Sequence, residues 1–191
     1  VVALTTSDPA ALPVLVAQLD LDRDEVVDAL RDQLEVEANQ RAKLVLELAL
    51  GPLEPERLYE LDPSWLNQEP DSFLALRELL VQRLDRTPPA VADPIRAVTA
   101  AELAASATDA EADDDTRFRG AVALAGIQPA NAIFDELAPF LCTRLLATTP
   151  LELGSWLTAL EPVADKLVDP LLAMHADDSL GDSRRRIAAH A

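Results

Sequence analysis

The chain has 191 residues, of which 49% are apolar, 4% aromatic and five glycine, and its 34 acidic residues against 16 basic ones leave a net charge of −18. That length suits one domain or one compact array burying roughly 70% of its unfolded surface, and the apolar fraction is too high for an acidic disordered tail. The charge excludes a nucleic-acid binder that tracks phosphates, and no glycine falls in a dinucleotide-binding or P-loop pattern.

From the start, Val1–Thr6 reads as the tail of a helix, with no basic opening of a signal peptide. Asp8 can cap a helix with Pro9 at its first position, and Pro13 is tolerable near the first turn. Leu12, Leu15, Val16 and Leu19 then share one helical face. Val26, Val27, Leu30 and Leu34 form the next face, over 22–35. Asn39 caps a third helix that runs through Leu50 and ends at Gly51-Pro52. A short helix is predicted over 54–61, then a turn at Asp62-Pro63. Asp71–Arg86 is a strong helix with Phe73, Leu76, Leu80 and Leu84 inward, stopped by Pro88-Pro89. A weaker helix is predicted from Pro94 to Ala107.

No basic residue lies between Arg96 and Arg117, while Glu102, Asp109, Glu111, Asp113, Asp114 and Asp115 do. This stretch reads partly as a solvated loop ending in an acidic helix cap. Helices follow over 115–125, closed by Gly126, and over 130–148, with a break or kink at Pro139. Pro150–Leu160 and Pro162–Ala176 make a pair, 177–181 a turn, and a last helix starts near Ser183. Alternating β-branched runs bounded by turn residues are missing, so no sheet is predicted. No run of 18 apolar residues could span a bilayer.

The sequence also echoes itself. Residues 8–30 align without gaps to 149–171, with identities at Pro9/Pro150, Leu12/Leu153, Leu19/Leu160, Asp24/Asp165, Val27/Val168, Asp28/Asp169 and Leu30/Leu171. In a second register, Arg41-Ala42-Lys43, Arg117-Phe118-Arg119 and Arg184-Arg185-Arg186 each open a helix rich in small residues. These openings recur at intervals longer than the ~40–47 residues of a plain HEAT or armadillo unit. Stacked hairpins, each covering its neighbour's apolar face, would explain both patterns. The approximate units are 1–40 (partial), 41–116, 117–183 and 184–191 (partial) within a single array over 1–191. Both ends read as cut through helices, so a piece of a longer protein is expected.

The stretches at 8–34 and 149–175, with the openings at 117–125 and 183–191, resemble HEAT-like helical extensions of large bacterial multidomain proteins. Those extensions accompany serine/threonine protein kinase or formylglycine-generating-type domains. The resemblance covers most of the chain, least well 63–114, and its motifs are loose. It implies a right-handed superhelix and an interaction or spacer role, and it brings no catalytic residue. The kinase landmarks (Gly-rich loop, HRD, DFG) are absent from this sequence.

Few residues carry chemistry. Asp20, Asp22 and Asp24 resemble the start of an EF-hand loop, but the sixth and twelfth positions are Glu25 and Arg31, where the loop needs Gly and Glu. An acid-rich helix start is the reading kept. Asp113-Asp114-Asp115 and Asp177-Asp178 lack the fifth-position Asp of a DDxxD magnesium site, having Arg117 and Gly181 there. His175 and His190 lack metal-ligand spacing; His175 suits a helix C-terminus. Cys142, the only cysteine, reads as a buried packing residue in a reduced, cytoplasmic setting. Arg184–Arg186 is too small a basic cluster, against −18, for a lipid or nucleic-acid site. Trp156 falls on the Leu153, Leu157, Leu160 face and is assigned to the core. Trp65 lies in a turn, where an exposed indole would make a partner-binding anchor.

The expectation is therefore an all-α, HEAT-like helical-hairpin superhelix of roughly ten helices. It would act as a non-enzymatic scaffold for a protein partner, its acidic surface steering a basic one, or space domains of one chain. The alternative is a regulatory or substrate-docking segment for an attached kinase or formylglycine-generating-type enzyme. No cofactor, metal, nucleic acid or membrane insertion is expected.

Overall fold

The computed structural model describes residues 2–19, 21, 23–59, 61–176 and 188, and the described residues are all-α with no strand. Two compact units form, Val1–Thr99 and Ala100–Ala191. The first holds α1 (Val2–Thr6), a 3-10 turn Pro9–Ala11, α2 (Leu12–Ala17), α3 (Asp24–Val36), α4 (Gln40–Leu50), 3-10 turns Pro55–Tyr59 and Pro63–Asn67, and α5 (Pro70–Arg86). The division falls within α6 (Pro89–Thr108). The second unit continues with α7 (Asp114–Ile127), α8 (Phe134–Ala147), α9 (Pro150–Leu160), a 3-10 turn Glu161–Val163 and α10 (Ala164–Ala176). Nine helices of six residues or more thus follow the five-residue α1 among the described residues.

In the first unit, α4 is apolar nearly all round, and Ala42, Leu44, Val45, Leu46, Leu48, Ala49 and Leu50 are all buried. Such a helix belongs in an interior, and α1, α3, α5 and both later 3-10 turns pack against it. It starts where the sequence predicts, because the Asn39 side chain accepts the Ala42 N–H at 3.0 Å. It ends at Gly51, whose absent side chain leaves room for Leu58: a Cβ there would meet Leu58 Cδ2 at 2.9 Å. α3 shows the simpler amphipathic pattern, burying Val27, Leu30 and Leu34. Two arginines tie down the N-terminal segment. Arg83 donates to the Val16 carbonyl at 3.1 Å and Arg41 to the Ser7 carbonyl at 2.9 Å. Burial, then the nearby Arg86, pulls the Arg83 pKa below its ordinary value, and a guanidinium still stays charged there.

In the second unit α7 plays the same part. Gly120 through Ala125 are all buried, with Phe118 and Ile127. Gly120 lies where α6 crosses closely, and a Cβ there would stand 3.2 Å from the Ala107 backbone nitrogen and 3.3 Å from the Leu103 oxygen. α8, α9 and the Glu161–Val163 turn cover other faces of α7. Phe118 meets Trp156 edge-on, with centroids 5.1 Å apart, which places Trp156 in the core as predicted.

Several boundaries differ from the sequence reading. The predicted helix over 54–61 is a 3-10 turn, the form that short pieces favour when there is no length to propagate an α-helix. α6 begins at Pro89, where a proline in the first turn loses nothing, and runs through Pro94 at the expense of one backbone hydrogen bond. Helix therefore reaches Thr108, and the acidic loop shrinks to the turn before Asp113. Gly126 does not close α7, because no described glycine adopts the positive φ that a glycine stop needs. α8 starts at Phe134 rather than 130, since the Asn131 side chain accepts the Ile133 N–H at 3.1 Å and holds a turn first. Pro139 lies inside α8, which continues past it.

The internal echo holds at one helix start and not at the other: α9 begins at Pro150, but at the equivalent Pro9, where a helix capped by Asp8 is predicted, the chain makes a 3-10 turn and α2 begins only at Leu12, without a side-chain cap. α3 begins at Asp24 and α10 one residue before the equivalent Asp165. Leu30 and Leu171 are both buried, yet Val27 is 6% exposed and its counterpart Val168 is 50% exposed. The predicted helix near Ser183 lies outside the described residues.

Gly120→Leu is expected to destabilise the protein by about 2–3 kcal/mol, because the α6 backbone cannot yield to the added side chain. Gly154→Ala should instead gain about 0.5–1 kcal/mol, since an added methyl there meets nothing and helix propensity improves. Chemical denaturation of both variants checks the pair, and destabilisation by both would disprove the close crossing as the cause.

Candidate functional site

In the second unit, α9 and α10 follow one another across the three-residue 3-10 turn. Pro150 and Pro162 set the two starts, each in a first turn that needs no N–H from it. The inner faces go to the rest of the unit: Trp156 and Leu160 of α9 are buried, and Leu167 and Leu171 of α10 likewise. α10 packs against α8 and α9 against α7. Lys166 anchors the α8 side through Asp135 at 2.7 Å, a bond that holds its pKa above the ordinary lysine value.

Leu157 and Leu160 of α9 with Ala164, Leu167, Val168, Leu171 and Leu172 of α10 line an apolar groove of about 380 Å³, in which Leu160, Leu167 and Leu171 are buried and Val168 and Leu172 stay exposed. Val168 is 50% and Leu172 61% exposed, which a monomeric helix would normally give to polar residues. The edge of this groove is acidic. Glu161 lines it, and Asp165 and Asp169 stand one position round the helix from Ala164 and Val168. All three acids are exposed. Ala188, buried at 7% exposure, also lines the groove.

A smaller space of about 220 Å³ lies in the first unit between α4 and the Asp62 turn, lined by Gln40, Lys43, Glu47, Asp62 and Ser64 among others. Of its two acids, Glu47 and Asp62, the second is a structural cap. Asp62 accepts the Ser64 N–H at 2.8 Å and a hydrogen bond from the Gln40 side chain. The Ser64 N–H above all, then the Ser64 side chain, hold the Asp62 carboxyl below its ordinary value.

The residues singled out from the sequence fall as follows. Trp65 is 5% exposed and stacks on Phe73 with centroids 5.4 Å apart, so its indole is core and offers no surface to a partner. Asp113 caps α7, accepting the Thr116 N–H at 2.8 Å. Asp114 pairs with Arg117 at 3.5 Å, and Asp115 with Arg144. Asp113–Asp115 therefore hold the start of α7 to its surroundings. Cys142 is fully buried, its thiol directed at the Leu167 carbonyl at 3.7 Å, and burial pushes its pKa up to about 11. His175 sits in the last turn of α10. Asp20, Asp22, Asp177, Asp178, Arg184–Arg186 and His190 lie outside the described residues. Among the described residues no group of three His, Cys, Asp or Glu could hold a metal ion, and no helix is long and apolar enough to cross a membrane.

The sequence reading missed the groove. Its one signal was the width of the apolar stripe on α10: Leu167, Val168, Leu171 and Leu172 cover two adjacent rows where one buried face needs one. No protein-family model, curated protein or solved structure matches this chain.

Two chemical predictions follow from these environments. The Thr116 backbone N–H, then its hydroxyl, hold Asp113 below the ordinary 3.8. The Asp62 and Asp113 carboxyls thus bind protons more weakly folded than unfolded. Their stabilisation is present above about pH 4 and disappears as pH falls through the lower folded values. Asp113→Asn keeps a capping oxygen without the titration, so the thermal midpoint should fall less steeply between about pH 4 and pH 2; an unchanged acid slope would remove Asp113 from the account. Cys142 should resist a thiol reagent at pH 8 and react fully in guanidinium, and rapid labelling of the folded chain would contradict its burial.

Proposed function

We propose that this chain is a non-enzymatic helical interaction module whose docking surface is the acidic-edged groove lined by α9 and α10. The observation that carries the reading is the exposure of Val168 and Leu172 beside Glu161, Asp165 and Asp169. Burying those two side chains fully would contribute about 1.5–3 kcal/mol each. The acids add selectivity and steering toward a partner with an apolar stripe flanked by Lys or Arg. The net charge of −18 acts in the same direction.

The finer form of this proposal is a HEAT-like array that spaces or docks domains of a large bacterial protein. It is supported by the echo of residues 9–30 in 150–171 and by the matching starts of α3 and α10. An exposed apolar row such as Val168 and Leu172 is what such stacking leaves for a neighbouring element. In a polypeptide carrying a kinase or formylglycine-generating-type domain, the same groove would dock that domain or its substrate.

The test is capture from a bacterial lysate by the full chain, identification of the captured protein, and titration of that protein in purified form. Replacing Val168→Glu and Leu172→Glu together should weaken its binding at least about tenfold, or ~1.4 kcal/mol. Raising salt from about 50 mM to 500 mM should weaken it as well. Val36→Glu, on an exposed side chain of the other unit, should change nothing. Binding that ignores the groove pair would refute the assignment of this surface.

A further inference from the structure

We propose that the groove's partner is an amphipathic helix whose Lys or Arg residues recur every fourth position along one flank of its apolar stripe. This rests on the groove being a docking surface, and it adds the conformation and the charge register of what docks there. The observation is a pair of parallel rows. Ala164, Val168 and Leu172 stand four apart on α10 and are all exposed. Glu161, Asp165 and Asp169 also stand four apart and are all exposed. Glu161 precedes α10, in the 3-10 turn, but its backbone and that of Ala164 are both right-handed helical, at φ −48°, ψ −41° and φ −58°, ψ −34°. The acid row therefore continues past the start of α10. Residues four apart lie nearly above one another on a helix, about 6 Å along its axis. On the opposite flank of the apolar row, Leu167 and Leu171 are buried. The open row thus has the protein body on one side and carboxylates on the other. None of the three acids forms a salt bridge among the described residues, while Lys166, their basic neighbour, is engaged with Asp135.

Backbone chemistry selects a helix for this surface. An extended peptide gains most by pairing its N–H and C=O groups with a sheet edge, and the described residues contain no strand. Over the side chains of Leu160, Leu167 and Leu171 its backbone would lose water and gain no partner, which is unfavourable for every group covered. A helix satisfies its own backbone and brings only side chains to the groove. When it lies at about 20° to α10, a favoured packing angle, basic residues at every fourth position repeat with nearly the same step as the acids. A helix with the same charges spread round its circumference meets the acid row at one point instead of three.

Titration of the full chain with designed peptides tests this. Two dye-labelled synthetic helices of about five turns, or ~18 residues, carry the same leucines and lysines and the same net charge. In the first, the lysines adjoin the leucine stripe on one flank at every fourth position; in the second they occupy the opposite face. Fluorescence anisotropy should show the first binding at least about tenfold more tightly. Val168→Glu with Leu172→Glu should abolish that binding. Asp165→Lys with Asp169→Lys, both at exposed positions, should reverse the preference toward a third helix whose flanking lysines are replaced by glutamate. Equal binding by the first two helices, no measurable binding by either, or a preference that does not reverse would overturn the proposal. The captured partner separates this proposal from the docking reading. If its binding depends on Val168 and Leu172 but ignores the paired Asp165→Lys and Asp169→Lys changes, the docking surface stands and recognition by the acid row falls. If it ignores Val168 and Leu172 as well, the docking surface itself falls.

Discussion

Each unit depends on one helix that is buried on nearly every side. α4 and α7 have too many apolar positions to hide against a single neighbour, so the chain must supply neighbours all round them. That requirement places α1, α3 and α5 about α4, and α8 and α9 about α7. Both central helices carry an arginine near their start, where a long side chain can leave the interior. Arg41 reaches the Ser7 carbonyl. Arg117 lies 4.5 Å from the Phe140 ring centroid and pairs with Asp114. Closely packed interiors tolerate little added volume, which is why α7 uses Gly120 and a run of alanines where α6 approaches.

The large negative charge has a structural share and a remainder. Asp62 and Asp113 cap helical turns, and Asp114, Asp115, Asp135 and Glu54 pair with arginines or lysine. Exposed pairs of this kind contribute little to stability individually. The acids along α10 differ because they border an apolar strip instead of a cap or a cation. An apolar strip alone favours any hydrophobic contact, and under the proposed docking role the carboxylates beside it would discriminate among partners by charge.

Much of the helix order was readable because its signals are local. Asn39, Asp62, Asp113 and Pro150 act within one turn of chain, and the elements they open begin within a residue or so of the predicted place. The misplaced ends share a different cause. Whether Pro94 starts a helix or lies inside one depends on what Ala92 and Ile95 pack against, both of which are buried. Whether Gly126 stops a helix depends on a backbone angle set by its surroundings. Trp65 illustrates the same limit: the turn was legible, but the indole's burial follows from Phe73 lying above it. The self-similarity between 8–30 and 149–171 marks one shared helix start, near Asp24 and Asp165, while Val27 and Val168 show that equal residues can face opposite environments.

The sequence by itself determined the class of structure, the position of most caps and the exclusion of phosphate-binding loops, since spacing, composition and side-chain caps act over a few residues. Tertiary packing decided which apolar rows are covered. Leu167 and Val168 are adjacent and equally apolar, and only the placement of α8 buries one and leaves the other half open. The candidate docking groove exists because α10 carries two apolar rows and the described fold closes one of them.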